Sequence, residues 1–160
     1  MANVGVGHIF PSGAAADLVE SWLEVRVSDD ENRMMLQYGL ADEEANVDDE
    51  TTHIYRVSPY DIDGNPLGFN EHQPWAFRKH ERFVLFPKAF DEYEFEVDLA
   101  DFDTEKISID AAVKYRCLSK STADFYFKGS RTVPITEMAE KSFEIAVGLT
   151  SKYTLTRVSS

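Results

Sequence analysis

Cysteine is almost absent from this chain, because Cys117 is its single thiol. One cysteine excludes an intrachain disulfide and any zinc site built on Cys-x-x-Cys spacing. Long apolar runs are missing as well, and a membrane-spanning helix needs about 20 consecutive apolar residues. The N-terminus has no basic patch followed by an apolar stretch, so the sequence shows neither a signal peptide nor a membrane span.

Basic residues are scarce: 16 Lys and Arg stand against 29 Asp and Glu, for a net charge of −13. Between Asp42 and Glu50, six of nine residues are acidic and none is basic. Duplex nucleic acids and anionic lipid surfaces are bound by clusters of Lys and Arg, so the charge argues against both as partners. We interpret the acidic run as a solvated loop, with the binding of a cation or a basic protein surface as the alternative.

What the chain has in abundance is alternation of apolar and polar residues with a period of two. This pattern over 107–118, 93–99 and 23–27 indicates strands with one face in a core. Shorter strands are predicted over 34–38, 53–57, 75–78, 82–86, 125–127, 142–147 and 153–158. A short helix is predicted over 134–141, since Pro134 suits a first helical turn. We therefore expect a single domain over 1–160, an all-β, antiparallel immunoglobulin-like β-sandwich with one short helix near the C-terminal end.

The segment Asp61-Ile62-Asp63-Gly64-Asn65-Pro66 supports two interpretations. An Asp-Gly pair between apolar runs is typical of a tight hairpin, which is the interpretation we prefer. Asp61, Asp63 and Asn65 also stand at alternate positions, as at the start of a calcium-binding loop. The twelfth position of such a loop requires a bidentate acid, and His72 stands there instead. Weak calcium binding by these three residues is the alternative hypothesis.

A sharply bent loop is predicted for Gly5-Val6-Gly7-His8-Ile9-Phe10-Pro11-Ser12-Gly13, which contains three glycines and a proline. His8 in this bend either bonds to backbone groups of the corner or binds a metal through a neutral ring nitrogen. His53, His72 and His80 lack the spacing of a metal-binding pair on one element. For these three we expect separate structural roles.

Signals for catalysis are weak, and we expect no enzyme. Ser12 lacks the Gly-x-Ser-x-Gly frame of a nucleophile elbow. Cys117 is predicted on the inward face of a strand, where a thiol is inert. The same strand is expected to turn the Tyr115 ring inward and the Arg116 guanidinium outward. Aromatic residues that could form a face for a sugar or another planar ligand, but are expected in the core, are Trp22, Trp75, Phe77, Phe83 and Phe86.

The most specific block of the sequence is Asn3-Val4-Gly5-Val6-Gly7-His8-Ile9-Phe10-Pro11-Ser12-Gly13, followed by Trp22-Leu23-Glu24-Val25. It resembles the β-sandwich domain at the C-terminal end of certain multihaem c-type cytochromes, where Gly-His-x-Phe-Pro-Thr-Gly precedes a Trp-containing strand. Further blocks over 51–57, 61–66, 112–116 and 133–139 resemble the middle and the end of that domain, in the same order. The resemblance covers most of the chain.

This resemblance implies a haem-less fragment or relative of such a domain, because haem-bearing sequence does not precede the block. No Cys-x-x-Cys-His motif is present, so the chain binds no haem covalently. The implied function is that of a non-catalytic accessory domain which packs against a haem-bearing cytochrome segment in an electron-transfer system, periplasmic or extracellular. His8, and secondarily His53, would then serve as axial ligand to the haem of a partner.

Two other functions stay open. One is an acidic extracellular binding or adhesion module for protein, calcium or carbohydrate, suggested by the acidic run and the Asp61 turn. The other is assembly. The related domain begins with a strand in whose place only Met1 and Ala2 stand, and an open sheet edge favours self-association or strand donation.

Overall fold

The computed structural model describes residues 1–5, 7–12, 18–65, 67, 79–128, 131–147 and 154–155. The helices and strands in this part of the chain are β1 Glu20–Asp29, β2 Met34–Tyr38, β3 Ile54–Tyr60, β4 Lys79–Phe83, β5 Phe95–Glu96, β6 Lys106–Arg116, α1 Lys120–Phe127, β7 Thr136–Ala146 and β8 Thr154–Leu155. The strand pairings between these elements are antiparallel. The expected all-β, sandwich-like fold with one short helix near the C-terminal end is confirmed.

Strand β1 is the centre of the main sheet. It pairs with β6 along its whole length. On its other side it pairs first with β3, at Trp22 and Ile54, and then with β2, from Val25 to Ser28. The strand order is β4-β3-β1-β6-β7, with β2 beside β1, and β5 pairs with β8 apart from this sheet.

The first core lies under the middle of β1 and β6. It consists of Val25, Val27, Ile107 and Ile109, all of them buried. Apolar side chains of β2, β7 and the segment 95–99 cover this cluster. The alternation predicted for 93–99 therefore does mark residues that face a core, although only Phe95–Glu96 pairs as a strand.

The second core lies on the opposite face of the sheet, at the N-terminal end of β1. Trp22 is fully buried, packs with Val47 and Ile54, and donates its indole N–H to the carbonyl oxygen of Gly39 at 2.8 Å. Neighbouring residues of a strand point to opposite faces. Because Trp22 and Val25 are separated by an odd number of positions, β1 contributes to both cores from its two faces.

Arg116 belongs to this second core, so the prediction that its guanidinium faces outward is wrong. Its Nε donates to the Glu20 carboxylate at 2.6 Å, and its Nη1 donates to the carbonyl oxygen of Ala45 at 2.6 Å. The acidic run folds over this end of the sheet. It covers the face that carries Trp22 and Arg116, which the sequence alternation alone did not predict to be buried. Cys117 follows the last residue of β6 and is exposed, so its predicted inward position is wrong too.

The predicted helix over 134–141 and the predicted strand over 125–127 are both wrong. Helix α1 occupies the second segment: the Ser119 side chain caps it by accepting the Thr122 N–H at 3.3 Å, and Lys128 ends it at φ 50°. The first segment lies largely in β7, which pairs with nearly the whole of β6. That long ladder outweighs the local helix preference of the sequence around Pro134.

Within the described residues, no helix is long and apolar enough to cross a membrane. The strands predicted over 34–38 and 53–57 are found as β2 and β3, and the one predicted over 142–147 forms part of β7. The strand predicted over 82–86 is found shifted toward the N-terminus, as β4. The strand predicted over 75–78 lies outside the described residues, as does most of the one predicted over 153–158.

Candidate functional site

The N-terminal loop that carries His8 is held against the segment 85–90. Its two ends form isolated antiparallel bridges, Ala2 with Phe90 and Phe10 with Leu85. Between these bridges the buried Asn3 donates its side-chain amide to the carbonyl oxygens of His8, at 2.9 Å, and Leu85, at 3.0 Å. Backbone and side-chain hydrogen bonds therefore fix the position of the loop that carries His8.

The His8 imidazole is exposed, and its Nδ1 lies 2.9 Å from the carbonyl oxygen of Ile9. A carbonyl oxygen only accepts, so Nδ1 carries the proton and Nε2 of the neutral ring keeps its lone pair. Ligating histidines commonly hold their other N–H on a carbonyl in this way. Nε2 is therefore the ring nitrogen that is left to bind a metal, while the Nδ1 bond closes the corner.

His53 lies in a different place, in an open cleft of about 550 Å³. The cleft is bordered by the end of β2, the C-terminal part of the acidic run and the segment 93–95. The His53 backbone N–H donates to the Tyr38 hydroxyl at 2.8 Å, and the His53 ring meets the rings of Tyr55 and Tyr93 edge-on. Within the described residues, no hydrogen bond or ring contact joins His53 to His8.

A chain of hydrogen-bonded hydroxyl groups, centred on the buried Tyr55, supports the aromatic wall of this cleft. Tyr93 donates its hydroxyl to that of Tyr55 at 2.7 Å, and Tyr55 donates to Asp91 at 2.6 Å. Burial raises the pKa of Tyr55 far above its ordinary value, and the hydrogen bond to Asp91 adds to that shift. Tyr55 is therefore a neutral donor at any physiological pH, and these two hydrogen bonds fix the orientation of the Tyr93 ring.

Asp29, Asp42 and Asp61 each begin a five-residue loop of the same construction. In each, one carboxylate oxygen accepts the N–H groups two and four residues later. The fourth residue has a positive φ in all three loops: Asn32 at 62°, Ala45 at 63° and Gly64 at 85°. The second carboxylate oxygen accepts the side chain of the fifth residue, which is Arg33, Asn46 or Asn65. The acidic residues at these positions close loops.

A turn is found at Asp61 as predicted, but the strand that pairs with β3 is β4, which begins only at Lys79, so the turn is not the predicted tight hairpin between two strands. Asp61 N–H donates to Asn65 O at 3.0 Å, and Leu67 N–H donates to Pro59 O at 2.9 Å. The structure brings Asp61, Asp63 and Asn65 into this one turn, where both Asp61 carboxylate oxygens already accept N–H donors. Within the described residues, no group of three His, Cys, Asp or Glu side chains suits a metal ion. Calcium binding by these residues stays a prediction.

Hydrogen bonds from the loops lower the pKa of the carboxyl groups that close them. For Asp42 and Asp61 the amide side chains of Asn46 and Asn65 contribute most, followed by their backbone N–H groups. For Asp29, burial raises the pKa, but hydrogen bonds from the Arg33 backbone and side chain outweigh it and the pKa falls. These carboxylates are therefore charged in the folded protein near neutral pH.

Of the remaining predicted residues, Phe83 contributes to the cleft, because its ring meets the His53 ring edge-on at 5.5 Å between centroids. Trp22 is core, as expected, whereas Phe83 and Phe86 are about half exposed, at 45% and 60%, so their predicted place in the core is wrong. His80 lies in β4. Residues His72, Trp75 and Phe77 lie outside the described part of the chain.

The sequence analysis missed the residues that line the cleft beside His53. Tyr38, Tyr93 and Phe95 come from two segments more than 50 positions apart, and no local spacing joins them. The loop construction did leave a signal, since Asp42 and Asp61 are each followed four residues later by Asn. Such Asp side chains commonly bond backbone N–H groups in turns.

The fold that carries both sites is similar to part of a known protein structure. The chain is similar in structure to a penta-heme cytochrome c552 from Thermochromatium tepidum, with a TM-score of 0.61 and 18% sequence identity. The match covers 86% of this chain but 33% of the cytochrome chain. No protein-family description and no curated protein matches the sequence. At this identity the likeness shows that the chain shares the fold of one part of a multihaem cytochrome.

Proposed function

We propose that this chain is a non-catalytic β-sandwich accessory domain of a multihaem c-type cytochrome electron-transfer system, periplasmic or extracellular. The observation that carries this proposal is the fold shared with one third of a penta-heme cytochrome c552. The sequence blocks that resemble the C-terminal domain of such cytochromes, in the same order along the chain, also support it.

In this proposal the domain packs against a haem-bearing segment or subunit through the N-terminal loop. His8 would then offer Nε2 to the haem iron of that partner, while the Ile9 carbonyl holds Nδ1 and fixes the ring. Asn3 keeps the loop closed against Leu85, so the imidazole is presented without reorganising the domain. A haem bound in the partner supplies one-electron transfer, and an axial histidine helps to set its reduction potential.

The test is to purify the multihaem c-type cytochrome of the host organism together with this protein, as wild type, His8→Ala and Val4→Ala. Val4 is exposed in the same loop and serves as the matched control. We expect His8→Ala to change the absorption and paramagnetic resonance spectra and the potential of one haem, and Val4→Ala to leave them unchanged. Identical spectra for all three proteins remove the ligand role, and failure to bind any c-type cytochrome removes the accessory function.

A further inference from the structure

The cleft beside His53 has aromatic walls whose geometry is fixed by the fold. The Tyr38 ring meets those of Phe95, at 5.0 Å between centroids, and Tyr93, at 6.1 Å, and Tyr93 stacks parallel to Phe95 at 6.4 Å. Each of these rings is partly exposed. A volume of about 550 Å³ holds a small molecule, since ligand sites span about 300–1,000 Å³.

The rim of this cleft is negatively charged. Asp49, Glu50 and Glu94 border it, and among the described residues that line it none is Lys or Arg. Asp49 is paired with Arg56 at 2.9 Å, whereas Glu50 and Glu94 are exposed. Asp48 holds the rim in shape, because its carboxylate accepts the Glu50 N–H at 2.9 Å and the Thr51 hydroxyl at 2.7 Å.

We propose that this cleft binds a small methylated ammonium cation. Aromatic faces attract large, weakly hydrated cations through their quadrupole, and quaternary ammonium groups are often bound against several aromatic rings. The acidic rim complements the positive charge and disfavours ligands that also carry a carboxylate. A hard metal ion needs oxygen ligands on several sides, and the described residues offer no cluster of three acids or histidines for it.

The experiment is titration of the protein with choline, followed by calorimetry and by the proton resonance of the N-methyl groups. Dimethylbutanol, the neutral carbon analogue of choline, is the matched ligand. We expect saturable choline binding, an upfield shift of the methyl resonance caused by the aromatic rings, and no saturation by the neutral analogue.

Two double variants locate the binding. Glu50→Gln with Glu94→Gln removes the two rim carboxylates that have no ion pair within the described residues, and we expect choline to bind about fivefold more weakly, as two exposed charge pairs imply. Glu43→Gln with Glu105→Gln removes two exposed acids outside the cleft and should leave binding unchanged.

Three results would overturn the proposal. Equal binding of the neutral analogue would indicate an apolar pocket, and an equal loss in both double variants would indicate attraction by net charge alone. Binding of calcium or of a lysine-rich peptide in place of choline would assign the rim to another class of ligand. None of these measurements involves a cytochrome, so their outcome is independent of the proposed accessory function.

Discussion

Replacing Arg116 by methionine tests the buried ion pair that joins β1, β6 and the acidic run. The side chains of Arg116 and Glu20 are only 4% and 5% exposed. The guanidinium also lies 5.3 Å from the Trp22 ring, and its Nη1 bonds the carbonyl oxygen of Ala45. Removing it leaves a buried carboxylate and a buried carbonyl oxygen with fewer donors.

Breaking a buried pair by removing one partner costs about 3–5 kcal/mol. Arg56 remains 3.2 Å from Glu20 Oε1 and compensates in part, so a loss of about 3 kcal/mol in the free energy of unfolding is expected. The double variant Glu20→Leu with Arg116→Met removes both charges and should recover at least about half of that loss.

Urea unfolding at pH 7, followed by circular dichroism, measures these free energies. Lys106→Met is the matched control: its partner Glu144 is exposed, so the loss should stay below about 1 kcal/mol. The reasoning is refuted if Arg116→Met costs no more than the control, or if the double variant is less stable than Arg116→Met alone.

Three further predictions concern the loops. Asp42→Ala and Asp61→Ala each remove a carboxylate that accepts three hydrogen bonds, so each should lower the melting temperature, whereas exposed Glu43→Ala should not. The pKa values of the two Asp carboxyls lie below 3.8 in the fold, so their stabilisation is complete above pH 3.8 and is lost as pH falls through the lowered pKa. Melting temperatures between pH 5 and 2 should therefore fall less steeply in the Asp42→Ala, Asp61→Ala double variant, and parallel curves would contradict this. Gly39→Ala should destabilise strongly, because φ is +66° and an added Cβ would overlap the Leu23 carbonyl oxygen; a melting temperature equal to that of wild type would disprove the overlap.

The strands were predictable because their alternation is local. Residues 23–27 and 107–113 each show the buried face of one strand at alternate positions, and the structure pairs these two strands over the first core. Arg116 could not be placed in the same way. Alternation gives the face on which a side chain lies, but whether that face is covered depends on where the acidic run folds.

The incorrect prediction of helix and strand after Arg116 has a different cause. Ser119 followed by Thr122 was a usable capping signal for α1. For β7, local propensity favoured a helix, and the decisive interaction was pairing with β6, which local sequence does not record. The cleft was beyond prediction for the same reason, since Tyr38 and Tyr93 meet only in the folded sandwich.

Because β1 places Trp22 in one core and Val25 in the other, the two clusters are tied to a single backbone. Unfolding of either core would disrupt the pairing of β1 with β6 on which the other core depends, so we expect the two cores to unfold together. Cooperative unfolding in one step is the consequence, and the amides of β1 should be among the slowest in the molecule to exchange with deuterated solvent.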